Sequence, residues 1–396
     1  MKNFFYPLID NPFSSIDIIA GTKVLKTRQL TLSKITKNFE KSFAKKMRCK
    51  YSVMVNSGSS ANLLALQCLI NPYRKNSLKP GDEILIPALC WSTSLWPIVQ
   101  SGLKPIFVDI DKNTLNIDEK LIASKITKKT KGIMLIHALG NSCDMNVIMK
   151  IKKKYNLILI EDTCESLGSK YSKKYLGTFG DFSTYSFYAS HQISAGEGGM
   201  ICCKNKEDYN IILSLRSHGW SRGTAFHDNI VKSNPSLDPR FIFFNSGYNL
   251  RPTEVSAAIG HSQFNRMDKL NNYRTINHNK IKSCLLSSKK LAGKVSFYEF
   301  QKKIKPSYFG IPIKIHSLNK NKFIKKLQKA GVETRPIISG NFSKQPSSLK
   351  YKLNSNKENF KNSEFVYDNS FFIGLPATPL KNSLIFKIRK AFEKSI

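Results

Sequence analysis

Four places in the sequence carry side chains whose types and spacing could do chemistry: Ser57-Gly58-Ser59-Ser60, Trp91, Asp162 and His191. The first follows a short apolar run, Tyr51–Asn56, and leads into Ala61-Asn-Leu-Leu-Ala-Leu-Gln-Cys-Leu. A strand, a small-residue turn and a helix N-terminus bring free backbone N–H groups, hydroxyls and the positive end of the helix dipole to one point, which makes an anion cradle. The same pattern also describes an ordinary capped helix. Asp162 ends the run Leu157-Ile-Leu-Ile-Glu-Asp, and Trp91 follows Pro87-Ala-Leu-Cys. His191 lies between Tyr185-Ser-Phe-Tyr188, which favours strand, and Gly196-Glu-Gly-Gly199, where Gly196, Gly198 and Gly199 permit positive φ in a reversing backbone. An isolated histidine is a weak signal, although imidazole is the side chain that moves protons near neutral pH.

Taken together, the set suits pyridoxal phosphate. The cradle takes the phosphate, Trp91 can stack on the pyridine ring, and Asp162 can pair with the ring nitrogen and keep the ring an electron sink.

These residues need elements to hold them. Apolar runs at 51–56, 82–87, 105–109, 132–137 and 157–162 read as strands, with helical segments at 92–101, 118–126 and 146–155. Such alternation predicts an α/β fold with a mostly parallel sheet covered on both faces. Ligands of such sheets sit beyond the carboxyl ends of the strands. Ser57, Trp91, His137, Asp162 and His191 all fall there, with His137 read mainly as a structural strand-end residue. Leu32–Lys50 predicts a helix burying Phe39, Phe43 and Met47, 221–245 a long loop, and Thr253 to about Tyr273 one long helix. The remainder reads as βαβ-type: strands near 308–315 and 334–338, a helix over 321–330 and a closing helix over 380–394. This gives two domains, 1–265 large and cofactor-binding, 266–396 small and C-terminal.

The composition excludes several classes. At 41% hydrophobic and 11% aromatic, the chain can bury a large core. The formal net charge of +36 comes from 63 Lys+Arg against 27 Asp+Glu. It fits either a lysine-rich solvated surface or a polyanion site. The basic residues are dispersed, for example in 125–131, 150–154 and 302–305, without a zinc-finger spacing or an aromatic-interleaved motif, so nucleic acid is not the expected partner. Eight scattered cysteines without a C-x-x-C pair point to no metal site, no disulfide framework and a reducing cytoplasm. Lys2, Asp10 and Pro12 interrupt any leader-like apolar core, and no run of about 18 apolar residues suggests a membrane span.

The ordered motifs Asn56-Ser-Gly-Ser-Ser-Ala61, Pro87-Ala-Leu-Cys-Trp91, Pro105-Ile-Phe-Val-Asp109, His137-Ala-Leu-Gly140, Glu161-Asp-Thr-Cys-Glu165-Ser-Leu-Gly168, Gly177-Thr-Phe-Gly-Asp181, Ser186-Phe-Tyr188, Gly196-Glu-Gly-Gly199, Arg216-Ser-His-Gly219 and Gly247-Tyr-Asn249-Leu-Arg-Pro252 resemble the DegT-type sugar aminotransferases of pyridoxal-phosphate fold type I. The resemblance covers roughly residues 25–390 and implies an aspartate-aminotransferase-type large domain with a smaller α/β domain. It departs at one position. Five residues before Gly-Glu-Gly-Gly that family carries the lysine that binds the cofactor covalently, and this chain carries His191, which cannot form a stable imine. The change resembles the histidine-for-lysine 3-dehydratase subgroup, as do Leu139-Gly-Asn141 and Thr334-Arg335-Pro-Ile-Ile-Ser-Gly-Asn341-Phe.

That resemblance implies that pyridoxamine phosphate is held non-covalently, and that a nucleotide-linked 4-keto-6-deoxyhexose loses its 3-hydroxyl in deoxysugar and surface-polysaccharide synthesis. It also implies that L-glutamate restores the amine. By the same resemblance Ser57, Gly58, Ser59 and Ser186 hold the phosphate, Glu165 stands near the ring hydroxyl, and His191 moves the proton. Asn249 would reach the phosphate of a neighbouring subunit, which implies a homodimer with shared sites. His218 and Arg335 are candidates for substrate or glutamate, and equally for structure. One related dehydratase holds an iron–sulfur cluster on four cysteines, including a Cys-x-Cys pair, but residues 217–226 here contain none, so no cluster is expected. An aminotransferase using free pyridoxamine phosphate and a non-catalytic cofactor or polyanion binder remain the alternatives; no appended DNA-binding module favours the latter.

Overall fold

Short apolar runs bounded by turn residues form the central sheet. The computed structural model describes residues 4–9, 11–354 and 358–396, which leaves Lys2 and Asp10 outside it. Tyr51–Val55 (β1), Glu83–Pro87 (β2), Lys104–Val108 (β3), Thr130–Ile136 (β4), Ile158–Asp162 (β5), Phe182–Ser186 (β6) and Gly199–Cys203 (β7) make one seven-stranded sheet in the order β1-β7-β6-β5-β4-β2-β3. Only β7 runs against its neighbours, and every other adjacent pair is parallel. The carboxyl ends of the other strands therefore open on one edge. Strands β2, β6 and β7 are buried along their whole length, as a sheet covered on both faces requires.

Helices α1 (Ser15–Thr27), α2 (Lys34–Met47), α3 (Gly58–Leu69), α4 (Ser92–Gln100), α5 (Glu119–Lys125), α6 (Met145–Tyr155) and α7 (Lys206–Arg216) belong to this part of the chain. Phe39, Phe43 and Met47 of α2 are fully buried with Tyr185 and Phe187. A buried ion pair joins three elements: Arg216 Nη1 of α7 donates to Glu40 Oε1 of α2 at 2.7 Å and to Met54 O of β1 at 2.8 Å. Met54 N–H in turn donates to Glu40 Oε1 at 2.8 Å.

Three expectations are corrected. The segment 221–245 is not all loop, because it forms helix α8 (His227–Ser233) and a single 3-10 turn, Pro239–Phe241. The helix beginning after Thr253 is two helices, α9 (Glu254–Asn265) and α10 (Met267–Leu286), which break at Arg266 (φ −104°, ψ 5°). No proline or glycine marks the break. Buried Asp17 of α1 causes it by collecting the end of α9: it accepts from Ser262 Oγ and Gln263 Nε2 and pairs with Arg266. The C-terminal sheet is antiparallel throughout instead of βαβ. Its strands are β8 (Val295–Phe297), β9 (Ile311–Ile315), β10 (Thr334–Arg335) and β11 (Ser370–Ile373), in the order β8-β9-β11-β10.

That sheet packs with α11 (Lys320–Lys329) and the closing helix Asn382–Glu393 around a second core of Ile313, Phe323, Phe371 and Phe392. Tyr6, from the far end of the chain, sits in the same core and donates its hydroxyl to Gly374 O at 2.8 Å. The partners of α10 change along its length, from Met267 in the large core to Ile281 and Leu285 in the small one.

Replacing Glu40 by Ala leaves the Arg216 guanidinium buried without its carboxylate. Urea unfolding of Glu40→Ala should show a loss of about 3–5 kcal/mol, whereas a loss under about 1 kcal/mol would mean the pair does not hold α2, α7 and β1 together.

Candidate active site

The cradle at 57–60 is built as its sequence suggests. Ser57 is the N-cap of α3 and accepts Ser60 N–H on its hydroxyl at 3.1 Å, which leaves the N–H groups of Gly58 and Ser59 facing out of the helix end. Ser60 Oγ donates to Asn56 Oδ1 at 2.6 Å, and Ser59 Oγ to Thr93 Oγ1 at 2.9 Å. Ser186, at the end of β6, closes the other side: a Cβ on Gly58 would stand 2.6 Å from the Ser186 Cβ. A Cβ on Gly199 would stand 2.4 Å from Ser57 O. Gly199 is therefore glycine for close approach and not for a reversing backbone. Of the three glycines read as turn formers, only Gly196 has positive φ (+78°). The reversal itself is made by 188–195, with Phe187 and Gly198 still hydrogen-bonded across its base.

Asp162 lies one helix turn deeper and is almost fully buried. Its Oδ2 accepts from Asn62 Nδ2 of α3 at 2.9 Å and from Ser94 Oγ of α4 at 2.8 Å. Its Oδ1 accepts Cys164 N–H at 3.1 Å. A carboxylate offers about four acceptor positions, so one remains for a ring N–H. Trp91 is the N-cap residue of α4, three positions before Ser94. The residue is 57% exposed, which leaves it open for a flat ligand.

Glu165 follows on the loop after β5. Its Oε2 accepts Leu139 N–H at 2.9 Å, and burial, reinforced by the Asp162 charge, pushes its carboxyl up to about 7. His191 is half-buried. Phe309 meets its ring edge-on at 5.1 Å between centroids, and Tyr188 does so at 6.1 Å. Burial and the charge of Arg274 push the imidazole down to about 3. A dianionic phosphate bound nearby would move it back up, because an opposite charge favours the protonated form. His191 also lines a cavity of about 730 Å³ with Gln192, Arg274 and the segment Asn11–Ile18.

Contacts bring most of the expected residues together. Ser57, Gly58, Ser59 and Ser186 share the cradle, and Tyr188 N–H donates to Ser186 Oγ at 3.3 Å. Gln192, beside His191, donates to Glu165 O at 2.5 Å. His137 stays apart as a fully buried partner of Glu161 (Nε2···Oε2 3.0 Å). Burial pushes the Glu161 carboxyl up, but His137 and the N–H groups of Gly180 and Gly177 outweigh it and hold it below the usual carboxylate range. Asn249 is exposed at the surface, its backbone bridged to Ser217 and its Oδ1 accepting Arg251 Nε at 3.0 Å. His218, at φ +61°, packs against Trp220. Arg335 is half-exposed and ion-paired with Glu333 at 2.7 Å. Asn62, Ser94, Gln192 and Phe309 were not singled out by the sequence. Asn62 carried a weak signal, as one of two amides, with Gln67, in the apolar part of its helix.

A family model for the DegT/DnrJ/EryC1/StrS aminotransferases matches residues 16–381. The chain belongs to this family. Among its similar members is the GDP-4-keto-6-deoxy-D-mannose 3-dehydratase of Escherichia coli O55:H7, 37% identical over 93% of this chain and 95% of the relative. The solved E. coli GDP-4-keto-6-deoxy-D-mannose-3-dehydratase with bound hydrated PLP superposes with a TM-score of 0.90 at 34% identity, over 98% of this chain and 100% of that one. A further structure of that dehydratase, with a trapped PLP-glutamate geminal diamine, gives 0.89 at 34% identity over the same shares. The family's fold, a large mostly parallel sheet with a smaller α/β part, is the fold of this chain.

Because the folded protein holds the Glu165 proton to higher pH than the unfolded chain does, this group costs stability as pH rises from about 4.5 to about 7. In cofactor-free protein, Glu165→Gln should therefore gain melting temperature over wild type at pH 8 and gain little at pH 4.5. Equal differences at the two pH values, read by calorimetry, would show that Glu165 titrates normally.

Proposed function

We propose that this chain removes the 3-hydroxyl of a nucleotide-linked 4-keto-6-deoxyhexose with pyridoxamine phosphate held without a covalent bond. The observation that carries the reading is His191, an imidazole packed on Tyr188, whose N–H bonds Ser186 of the intact cradle, in the place of the family's lysine. The similarity to GDP-sugar 3-dehydratases supports guanosine diphosphate as the nucleotide. The glutamate adduct in the solved relative supports L-glutamate as amino donor.

When bound, the cofactor supplies a primary amine for the sugar carbonyl and a ring that draws off electrons. The helix end at Gly58 and Ser59, with the hydroxyls of Ser57 and Ser186, binds its phosphate. Asp162 would keep a proton on the ring nitrogen, and Trp91 would cover a ring face. Glu165, buried and titrating near neutrality, would share a proton with the ring hydroxyl. Neutral His191 would accept the carbon-bound proton given up when the amine and the sugar carbonyl have joined, and return it to the hydroxyl of sugar carbon 3, which would leave as water. With no lysine here to displace it, the deoxygenated sugar would be freed by water.

Exposed Asn249, with exposed Phe241 and Phe243 nearby in sequence, supports a homodimer in which this surface meets the partner's cradle. His218 and Arg335 act on the substrate or glutamate only if that assembly brings them to the site. Eight free cysteines among the described residues fit a reducing cytoplasm. No helix among those residues is long and apolar enough to cross a membrane.

Incubation with a panel of GDP-, CDP-, UDP- and dTDP-4-keto-6-deoxy sugars and glutamate, read by mass spectrometry, should show loss of the 3-hydroxyl. A 4-amino sugar as the product would make the chain an aminotransferase, and no turnover at all would make it a binder. Borohydride should leave the cofactor unattached to wild-type protein. His191→Asn should keep cofactor binding and lose at least about 100-fold in turnover; full retained turnover would remove the imidazole from the reaction.

A further inference from the structure

Arg274 reaches from α10 to both segments that frame His191. Its Nη2 donates to His191 O at 2.9 Å and its Nη1 to Phe309 O at 3.1 Å. The same Phe309 carries the ring that meets the imidazole edge-on, at 81° between planes. The adjacent residue makes a second tie: Gln192 Nε2 donates to Ser307 O at 3.1 Å as well as to Glu165 O. Ser307 N–H donates to Ser169 Oγ at 2.8 Å, and Ser169 Oγ donates to Gly140 O at 2.9 Å. Gly140, at φ +91°, lets this contact close, since a Cβ there would stand 2.3 Å from Ser307 O.

Arg274 is 6% exposed and forms no ion pair among the described residues; its hydrogen bonds go to two backbone carbonyls, and its Nε has no partner there. A buried cation without a carboxylate is costly. An apolar side chain of similar length would fill the space without that cost, so the guanidinium is accounted for by what it holds.

We propose that Arg274 is a positioning residue for His191, clamping the carbonyls of His191 and Phe309 so that the imidazole keeps one orientation against the Phe309 ring. For its catalytic readout the proposal rests on the dehydratase reading. The guanidinium charge has a second effect, because it disfavours protonation of the imidazole and so preserves the form that accepts a proton. Other groups near the imidazole are Tyr188 and Ser190 of its own loop, and Tyr6 stands close to Arg274. Lys269, Tyr273 and the Arg266–Asp17 pair line the same cavity.

The first test needs no cofactor. NMR titration of isotope-labelled histidines, with His191→Asn identifying the resonance, should place the His191 midpoint about one pH unit or more higher in Arg274→Met than in wild type. Arg274→Lys, which keeps the cation, should leave it near the wild-type value. With pyridoxamine phosphate, glutamate and the nucleotide sugar, Arg274→Met should lose about 10- to 100-fold in kcat at little change in KM. The acid limb of its pH profile should move upward, and Arg274→Lys should restore the limb but only part of kcat. An unmoved midpoint in Arg274→Met, or wild-type kcat in both variants, overturns the proposal. If Arg274→Met does not fold, Arg274→Lys and Phe309→Leu decide: both should lower kcat without weakening pyridoxamine phosphate binding, and wild-type kcat in both refutes the clamp. A wild-type protein that binds the cofactor but dehydrates no sugar sinks the functional reading, while the titration still judges the clamp.

Discussion

A carboxylate buried at a strand end must be satisfied, and the way Asp162 is satisfied fixes the rest of the site. Its two donor side chains come from different helices, Asn62 from α3 and Ser94 from α4. Helix α3 begins with the anion cradle about one turn before Asn62, and α4 begins with Trp91 three residues before Ser94. One anion therefore sets the spacing between the cradle at the start of α3, the exposed aromatic at the start of α4 and its own carboxylate. Asn62 passes the constraint on, since its Oδ1 accepts Thr184 Oγ1 of β6 at 2.6 Å. Strand β6 ends in Ser186, the opposite wall of the cradle.

The imidazole is held by a different logic. His191 sits in the reversal between β6 and β7, a stretch with no regular hydrogen-bond ladder of its own beyond its base. Its order comes from outside: α10 grips its carbonyl, Phe309 packs against its ring, and Gln192 ties the next residue to Glu165 and Ser307. The proposed cofactor grip thus belongs to the large sheet, whereas His191 is oriented by α10 and by the segment leading into β9.

The large sheet and its strand-end residues were legible because continuous apolar runs leading to Ser57 and Asp162 have few other structural solutions; Ser186, which ends the polar strand Phe-Ser-Thr-Tyr-Ser, was reached only through the resemblance. The substitution at 191 was legible because it broke an otherwise unbroken series of motifs. The small sheet was legible only in part: the runs that form β9 and β10 read as strands, but β8 spans three residues and β11 follows a helix with no turn signal between them, and the antiparallel pairing of the four is set by contacts far apart in sequence. The break between α9 and α10 was hidden because its cause is Asp17, far away in sequence. Arg274 was hidden for a compositional reason: among 63 lysines and arginines, nothing local distinguishes one that is buried. Glycine was misread where it serves contact, as at Gly199, because sequence shows the missing side chain but not the neighbour that occupies its place.

Tyr6 hydrogen-bonds Gly374, 368 positions further along the chain, and sits in one hydrophobic cluster with β11 and the closing helix. During synthesis at the ribosome, the large sheet has all its strands once Cys203 has emerged, while Tyr6 must wait for β11 and the closing helix. The aromatic stays exposed through that interval, so the small core closes by a long-range contact onto a large sheet already assembled.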